Sequence, residues 1–219
     1  MPCAPKLKPR NPETENKVDV LRFSNTAEID LDHLRSVLHR SPTRSEFLAE
    51  DGAAGELTPA SVLFPIVLRA DGPTVLFTQR TDDLRDHPGQ ISFPGGRVEP
   101  EDRSPAHTAL REAKEEIGLS PAPVEIIGYL PEYRTGTGFR VTPVVALLTP
   151  PFALRPDPRE VANIFEVPLA FLLDSANHQQ HSAFYRGKQR QYVAMPYGEY
   201  FIWGATAGII ATLARAFAA

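Results

Sequence analysis

The stretch Gly95 to Leu119, GGRVEPEDRSPAHTALREAKEEIGL, restricts what this chain can fold into more than any other. Ser104 followed by Pro105 predicts a helix start, because the serine oxygen can cap free N–H groups and proline fits the first turn. Gly118 supplies the left-handed stop. Between them Ala106, Ala109, Leu110, Ala113 and Ile117 recur at helical spacing and predict a buried stripe. Glu112, Glu115 and Glu116 fall at i, i+3 and i+4, which predicts that they share the opposite face. Like charges so spaced cost an isolated helix roughly 0.2–0.5 kcal/mol per pair. Arg111 can reach Glu115 one turn on and relieves part of this. A hard divalent cation would relieve the rest, since Mg²⁺ takes carboxylate oxygens together with substrate phosphate oxygens. Three glutamates on a helix are ordinarily just a solvated face. The pair Gly95-Gly96 upstream changes that reading, because backbone without a Cβ lets a ligand approach closely.

A chain of 219 residues with 42% apolar residues can bury the core of one domain, and 22 prolines point to many connections rather than long repeats. The net charge of −4 argues against a nucleic-acid surface. Cys3, alone of its kind, excludes an intramolecular disulfide and cysteine-based metal sites. His33, His39, His178 and His181 lack zinc-ligand spacing. No apolar run reaches membrane-spanning length, and residues 1–17 lack the apolar core of a signal peptide. These features lead us to expect a cytoplasmic enzyme with a small-molecule substrate and neither a nucleic-acid nor a membrane partner. The oligomeric state stays open, a homodimer included.

Residues 1–25 read as a flexible, proline-containing tail and residues 26–219 as a single domain. Leu31, Leu34, Val37 and Leu38 predict a short amphipathic helix over residues 30–40. Residues 45–58 read as a loop. Strands are predicted at residues 61–69 and 74–79 around the turn Asp71-Gly72-Pro73, then at 124–130 and 140–148, while 161–167 reads as an apolar segment behind Glu160. Residues 182–186 and 191–195 predict a hairpin around Gly187, and 204–217 a closing, well-buried helix. The loop 133–139 reads as mobile by composition, and Trp203 as core packing. Strands before and after a central helix predict an α/β/α sandwich on a mixed sheet.

The glycine pair and the helix together resemble the signature of the Nudix hydrolases: a Gly, five residues, a Glu, seven residues, then Arg-Glu-apolar-x-Glu-Glu-x-Gly-apolar. Gly96, Arg111, Glu112, Glu115, Glu116, Gly118 and Leu119 match it. Asp102 stands where the first Glu is usual, eight residues rather than seven separate it from Arg111, and Ala113 fills a slot more often held by a larger aliphatic. The stretch just upstream, LFTQRTDDLRDHPGQISFPGG, places Arg80 at a strand end and Arg85 in a loop leading to the glycines. Guanidinium forks suit phosphate oxygens, although Asp82, Asp83 or Asp86 could occupy them instead. This stretch is similar to the motif of the coenzyme A branch of the same family. Leu76, Thr78, Arg80, Arg85, Gly89, Phe93, Pro94, Gly95 and Gly96 keep its spacing, with Phe77 and Thr81 as mild departures. In that branch the longer spacer is common.

The resemblance implies a Nudix-type α/β/α fold and a Mg²⁺- or Mn²⁺-dependent pyrophosphatase acting on coenzyme A and acyl-CoA. The products would be 3′,5′-ADP and 4′-phosphopantetheine. It implies Glu112, Glu115 and Glu116 as catalytic and metal-holding residues, with the Gly96 carbonyl completing the metal shell. Arg80, Arg85, Gly95 and Gly96 would hold substrate phosphates. Which carboxylate serves as general base stays open, and Glu132 and Glu160 are further candidates. Two alternatives stand beside this reading: a Nudix pyrophosphatase for ADP-ribose or another nucleotide, and a non-catalytic nucleotide-sensing module.

Overall fold

Four long strands buried on both faces build the molecule around one mixed sheet. The computed structural model describes residues 19–20, 29–44, 57–84, 86–185 and 188–219. In chain order the elements are β1 (Asp19–Val20), α1 (Leu31–Ser36), β2 (Thr58–Val67), β3 (Thr74–Arg80), β4 (Ile91–Ser92), β5 (Gly95–Arg97) and α2 (Pro105–Ile117). There follow β6 (Val124–Tyr129), β7 (Tyr133–Arg134), β8 (Phe139–Leu148), β9 (Val161–Pro168) and α3 (Leu169–Leu173). The chain closes with β10 (Gln179–Tyr185), β11 (Lys188–Tyr197), β12 (Tyr200–Trp203) and α4 (Gly204–Phe217).

The main sheet runs β1-β9-β3-β2-β8-β6 and is mixed, since β2 pairs with β8 in parallel while β3 with β9 and β6 with β8 are antiparallel. The period of two separates its faces. Leu63, Val67, Leu76, Val144, Ala146 and Leu148 face α2. Phe64, Ile66, Val75, Phe77, Val145, Leu147 and Phe165 face the opposite way, towards α1, α3 and α4. This is the expected α/β/α sandwich. Each fully buried Leu, Val or Phe on these faces stabilises the fold by about 1.5–3 kcal/mol relative to exposure. A smaller sheet, β10-β11-β12, turns Met195 and Ile202 into the same core as α4.

One departure from regular pairing positions everything that follows. β2 and β3 pair only at Ile66↔Val75 and Val67↔Thr74 and then separate. Into the gap comes the segment from β4 to β5: β4 pairs with β3, and β5 with β2 through Ala60↔Arg97, Ser61↔Gly96 and Val62↔Gly95. The Leu63 N–H donates to the Pro94 carbonyl at 2.8 Å between them. Phe93 anchors this crossing, its ring 4.6 Å from that of Phe64 and 5.2 Å from that of Phe77, centroid to centroid.

The predicted strands and closing helix are present, with several differences. The first helix is shorter than residues 30–40, because Asp30 caps it and the chain leaves helical geometry after Val37 to bridge His39 to Tyr129. Residues 133–139 are no open loop. Tyr133–Arg134 pairs with β8, and the turn beyond is closed by Thr135 N–H to Phe139 O at 2.9 Å and Phe139 N–H to Thr135 Oγ1 at 3.0 Å. Trp203 is 41% exposed rather than core, because its neighbour Ile202 takes the inward position of the strand. Of the expected tail, Asp19–Val20 forms a short strand parallel to β9. The rest of residues 1–25, residues 45–56 of the expected loop, the turn at 186–187 and Arg85 lie outside the described residues.

Candidate active site

Helix α2 begins and ends as its sequence predicts. Ser104 Oγ accepts the His107 N–H at 3.1 Å, Pro105 opens the first turn, and Gly118 closes the helix at φ 65°, a conformation that favours glycine. Ala109, Ala113 and Ile117 are fully buried against the sheet, with Ala106 and Leu110 half-buried at the margin.

The three glutamates do not share one solvated face, which corrects the expectation from spacing. Glu116 follows the buried stripe three residues after Ala113, and only 7% of it is exposed. Its carboxylate accepts the Gly95 N–H at 3.3 Å. Glu112, one turn earlier, lies with its side chain 16% exposed directly over Gly96, where any Cβ would collide with its carboxylate. Glu115 alone points outward, its side chain 59% exposed and bonded to Arg111 at 3.1 Å. The helix therefore brings two carboxylates, Glu112 and Glu116, to the backbone of Gly95 and Gly96, and it does not bring Glu115.

Arg111 organises the helix's first half. Its Nε and Nη2 donate to the two Asp102 oxygens at 3.2 and 3.0 Å, Nη2 donates to the Arg97 carbonyl at 3.0 Å, and Nη1 lies 3.0 Å from Glu112. Asp102 also accepts from Thr108 Oγ1 and from the Glu99 N–H, both at 2.9 Å, with its side chain 1% exposed. Asp102 is thus a brace tying the β5–α2 loop to the helix. The Arg111 guanidinium and these donors hold its carboxyl well below the usual carboxylate range.

The electrostatics at the glycines run the other way. Burial, then the charge of Glu112, pushes the Glu116 carboxyl up to about 8, against the opposing pull of the Gly95 N–H and Arg80. Burial also raises Glu112, and Glu160 contributes repulsion to both. Glu160 precedes β9, exposed, and its carbonyl accepts the Thr81 N–H at 3.0 Å, which ties its loop to the end of β3. Glu132 belongs elsewhere, 3.7 Å from Arg140. Arg80, at the end of β3, is close enough for its charge to favour ionised Glu116, and its buried Nε has no hydrogen-bond partner among the described residues.

The family profile described as NUDIX domain matches residues 57–187, more than half of the chain. This chain belongs to the Nudix family. It is 44% identical over 155 residues, 71% of its length and 80% of the relative's, to a protein of Escherichia coli K12 named uncharacterized Nudix hydrolase NudL. A protein of the same name from Shigella boydii matches equally. Among solved structures, a C. elegans Ap4A hydrolase binary complex superposes with a TM-score of 0.44 at 23% identity, covering 52% of this chain and 82% of that one. The M. smegmatis Nudix hydrolase RenU gives 0.43 at 22% identity, covering 58% and 79%. As a Nudix hydrolase the chain is a pyrophosphohydrolase of small nucleotide derivatives. No helix among its described residues is long and apolar enough to cross a membrane.

The donor set at Gly95–Gly96 fits a hard divalent cation. Two desolvated carboxylates repel each other there, and among the described residues no three His, Cys, Asp or Glu side chains form a cage that could hold a metal. Mg²⁺ characteristically binds through one or two carboxylates with substrate phosphates supplying the remainder. The role of Asp102 was not legible from spacing alone. A signal existed in the run Asp102, Thr108, Arg111, whose last two members face back along the first turns of the helix.

Proposed function

We propose that this Nudix hydrolase cleaves the pyrophosphate of coenzyme A and acyl-CoA, with Mg²⁺ or Mn²⁺, to 3′,5′-ADP and 4′-phosphopantetheine. The observation that carries the assignment is Arg80, a guanidinium beside the buried Glu116 with an unpartnered Nε, at its motif position upstream of the glycines. An unsatisfied buried donor beside paired carboxylates suits an anionic substrate oxygen. Glu112 and Glu116 would hold the cation, joined by the Gly96 carbonyl, with Glu115 at the exposed margin. The cation supplies positive charge for two adjoining phosphates and acidifies an attacking water.

The chain's own residues do the rest. Gly95 and Gly96, lacking Cβ atoms, let β2 and the Glu112 carboxylate close against their backbone, and the Gly95 N–H holds Glu116 in place. Arg80, and Arg85 from the loop between β3 and β4, orient the phosphates. Arg111 fixes Glu112 while Asp102 fixes Arg111. The general base is then Glu112, Glu116 or Glu160, whose charges act on one another. A substrate panel of CoA, acyl-CoA, ADP-ribose and dGTP with Mg²⁺ and Mn²⁺ tests the reading. The expected result is highest kcat/KM on CoA or acyl-CoA; preference for ADP-ribose or dGTP would overturn the CoA assignment.

A further inference from the structure

The small sheet β10-β11-β12 has two unlike faces. Met195 and Ile202 are buried in the core, whereas the alternate residues build a ring surface facing away from it. There His181 stacks on Tyr192 at 5.5 Å and 19°, Phe201 meets the His181 edge at 5.8 Å, and Trp203 meets Tyr192 at 5.6 Å and 61°. Phe201 and Trp203 are 43% and 41% exposed, although a more economical sequence would place polar residues on an outward face. By strand register Arg190 occupies the same face two residues before Tyr192.

The strand that carries this surface adjoins the segment leading to the candidate active site. β12 packs beside β4. Gly204, next to Trp203, lies against Gln90, and Thr206 Oγ1 donates to the Ile91 carbonyl at 3.1 Å. From Ile91 to Gly95 is four residues, at most about 14 Å of extended chain. A nucleotide whose pyrophosphate lies at Gly95–Gly96 can extend its ribose and base along this segment towards β12.

We propose that the aromatic face of Tyr192, Phe201 and Trp203 is the subsite for the purine base of the substrate's nucleotide half, with Arg190 beside it matching the phosphorylated ribose in charge. Purines stack on indole and phenol rings, and a guanidinium beside them suits phosphate. The inference rests on the pyrophosphatase reading but does not depend on which nucleotide is preferred.

Trp203 is the single tryptophan of the chain, so its fluorescence reports on this face alone. Titrating the full chain with adenosine 3′,5′-bisphosphate is expected to quench it saturably, and ribose 5-phosphate, which lacks the base, is expected to leave it unchanged. Trp203→Leu and Tyr192→Leu keep apolar bulk but remove the ring or its extent. Each is expected to raise KM about 5- to 150-fold, the range of base stacking on one aromatic ring, with kcat held. Trp203→Phe should recover most of the loss. Quenching by adenosine 3′,5′-bisphosphate with CoA poorly cleaved supports the subsite while overturning the CoA assignment. CoA cleavage with no quenching and unchanged KM in both leucine variants overturns the subsite alone. Quenching by pantetheine but not by the bisphosphate overturns it too, as does loss of a dimer in the leucine variants with KM unchanged.

Discussion

At Glu116 the fold holds a carboxylate where little water solvates it, a cost that a bound cation would offset. The group's pKa in the folded, metal-free chain is about 8, above the 4.5 of an ordinary glutamate. The folded state therefore keeps a proton that the unfolded state has lost, and stability without metal falls as pH rises from about 4.5 to about 8. Glu116→Gln carries no such charge. Its metal-free Tm should stay level across this window while the wild type declines, and its turnover should vanish; thermal melts in EDTA and assays at saturating Mg²⁺ check both. A variant with near-normal rates would remove Glu116 from the principal ligands. Arg80 offers a second residue-scale prediction. A charge-assisted contact to phosphate is worth about 1.5–3 kcal/mol, so Arg80→Ala should lose roughly 10- to 150-fold in kcat/KM on CoA. Lysine should recover only part, since it keeps the charge without the fork. If the alanine variant loses stability instead and slows equally on every substrate, Arg80 only braces its loop.

Among the elements, the β5–α2 unit shows how much of the site could be read from residue order. Ser104, Pro105 and Gly118 delimit α2 because capping is local chemistry, and the local sequence carries all of it. The facing of Glu116 was not legible, because helical spacing places it near the edge of the stripe and only the approach of β5 decides which side of that edge is buried. The same holds for β4 and β5, two- and three-residue strands that local propensity cannot register. Their pairing depends on β2 and β3 parting, a non-local event. The Asp102–Arg111 brace has a testable consequence at this scale. Because the carboxyl's pKa is depressed in the fold, the brace stabilises above the ordinary carboxylate pKa and is lost as pH falls. Asp102→Asn should cost about 1–3 kcal/mol at neutral pH by leaving part of the Arg111 fork unmet. The loss should shrink in acid, and chemical denaturation at two pH values measures it. Equal losses at both would mean that the carboxylate's charge plays no part.

For the whole molecule, the layered architecture was legible because period-two strands and one strongly marked helix leave few arrangements. The small sheet's outward aromatic face was not, since alternation alone cannot say which face of a late hairpin meets the core. Trp203 was accordingly expected inside. A cation that binds the folded chain and ignores the unfolded one raises Tm with its concentration. Chelation should therefore abolish turnover and lower Tm together, and Mg²⁺ or Mn²⁺ should restore both. Undiminished turnover in excess EDTA would sink the metal-dependent reading.

The parting of β2 from β3 sets how the glycine strand can move. Gly95 and Gly96 are laced to β2, Ser92 to β3, and Phe93 is clasped between Phe64 and Phe77. The strand cannot swing out like a lid without prising apart the centre of the sheet. Its amides would then trade hydrogen for deuterium only on the timescale of global unfolding, while those of the loop between β3 and β4 would exchange far sooner. In that picture the backbone proposed to face the phosphates would behave as a fixed anvil, and motion accompanying substrate entry would belong to the loop between β3 and β4.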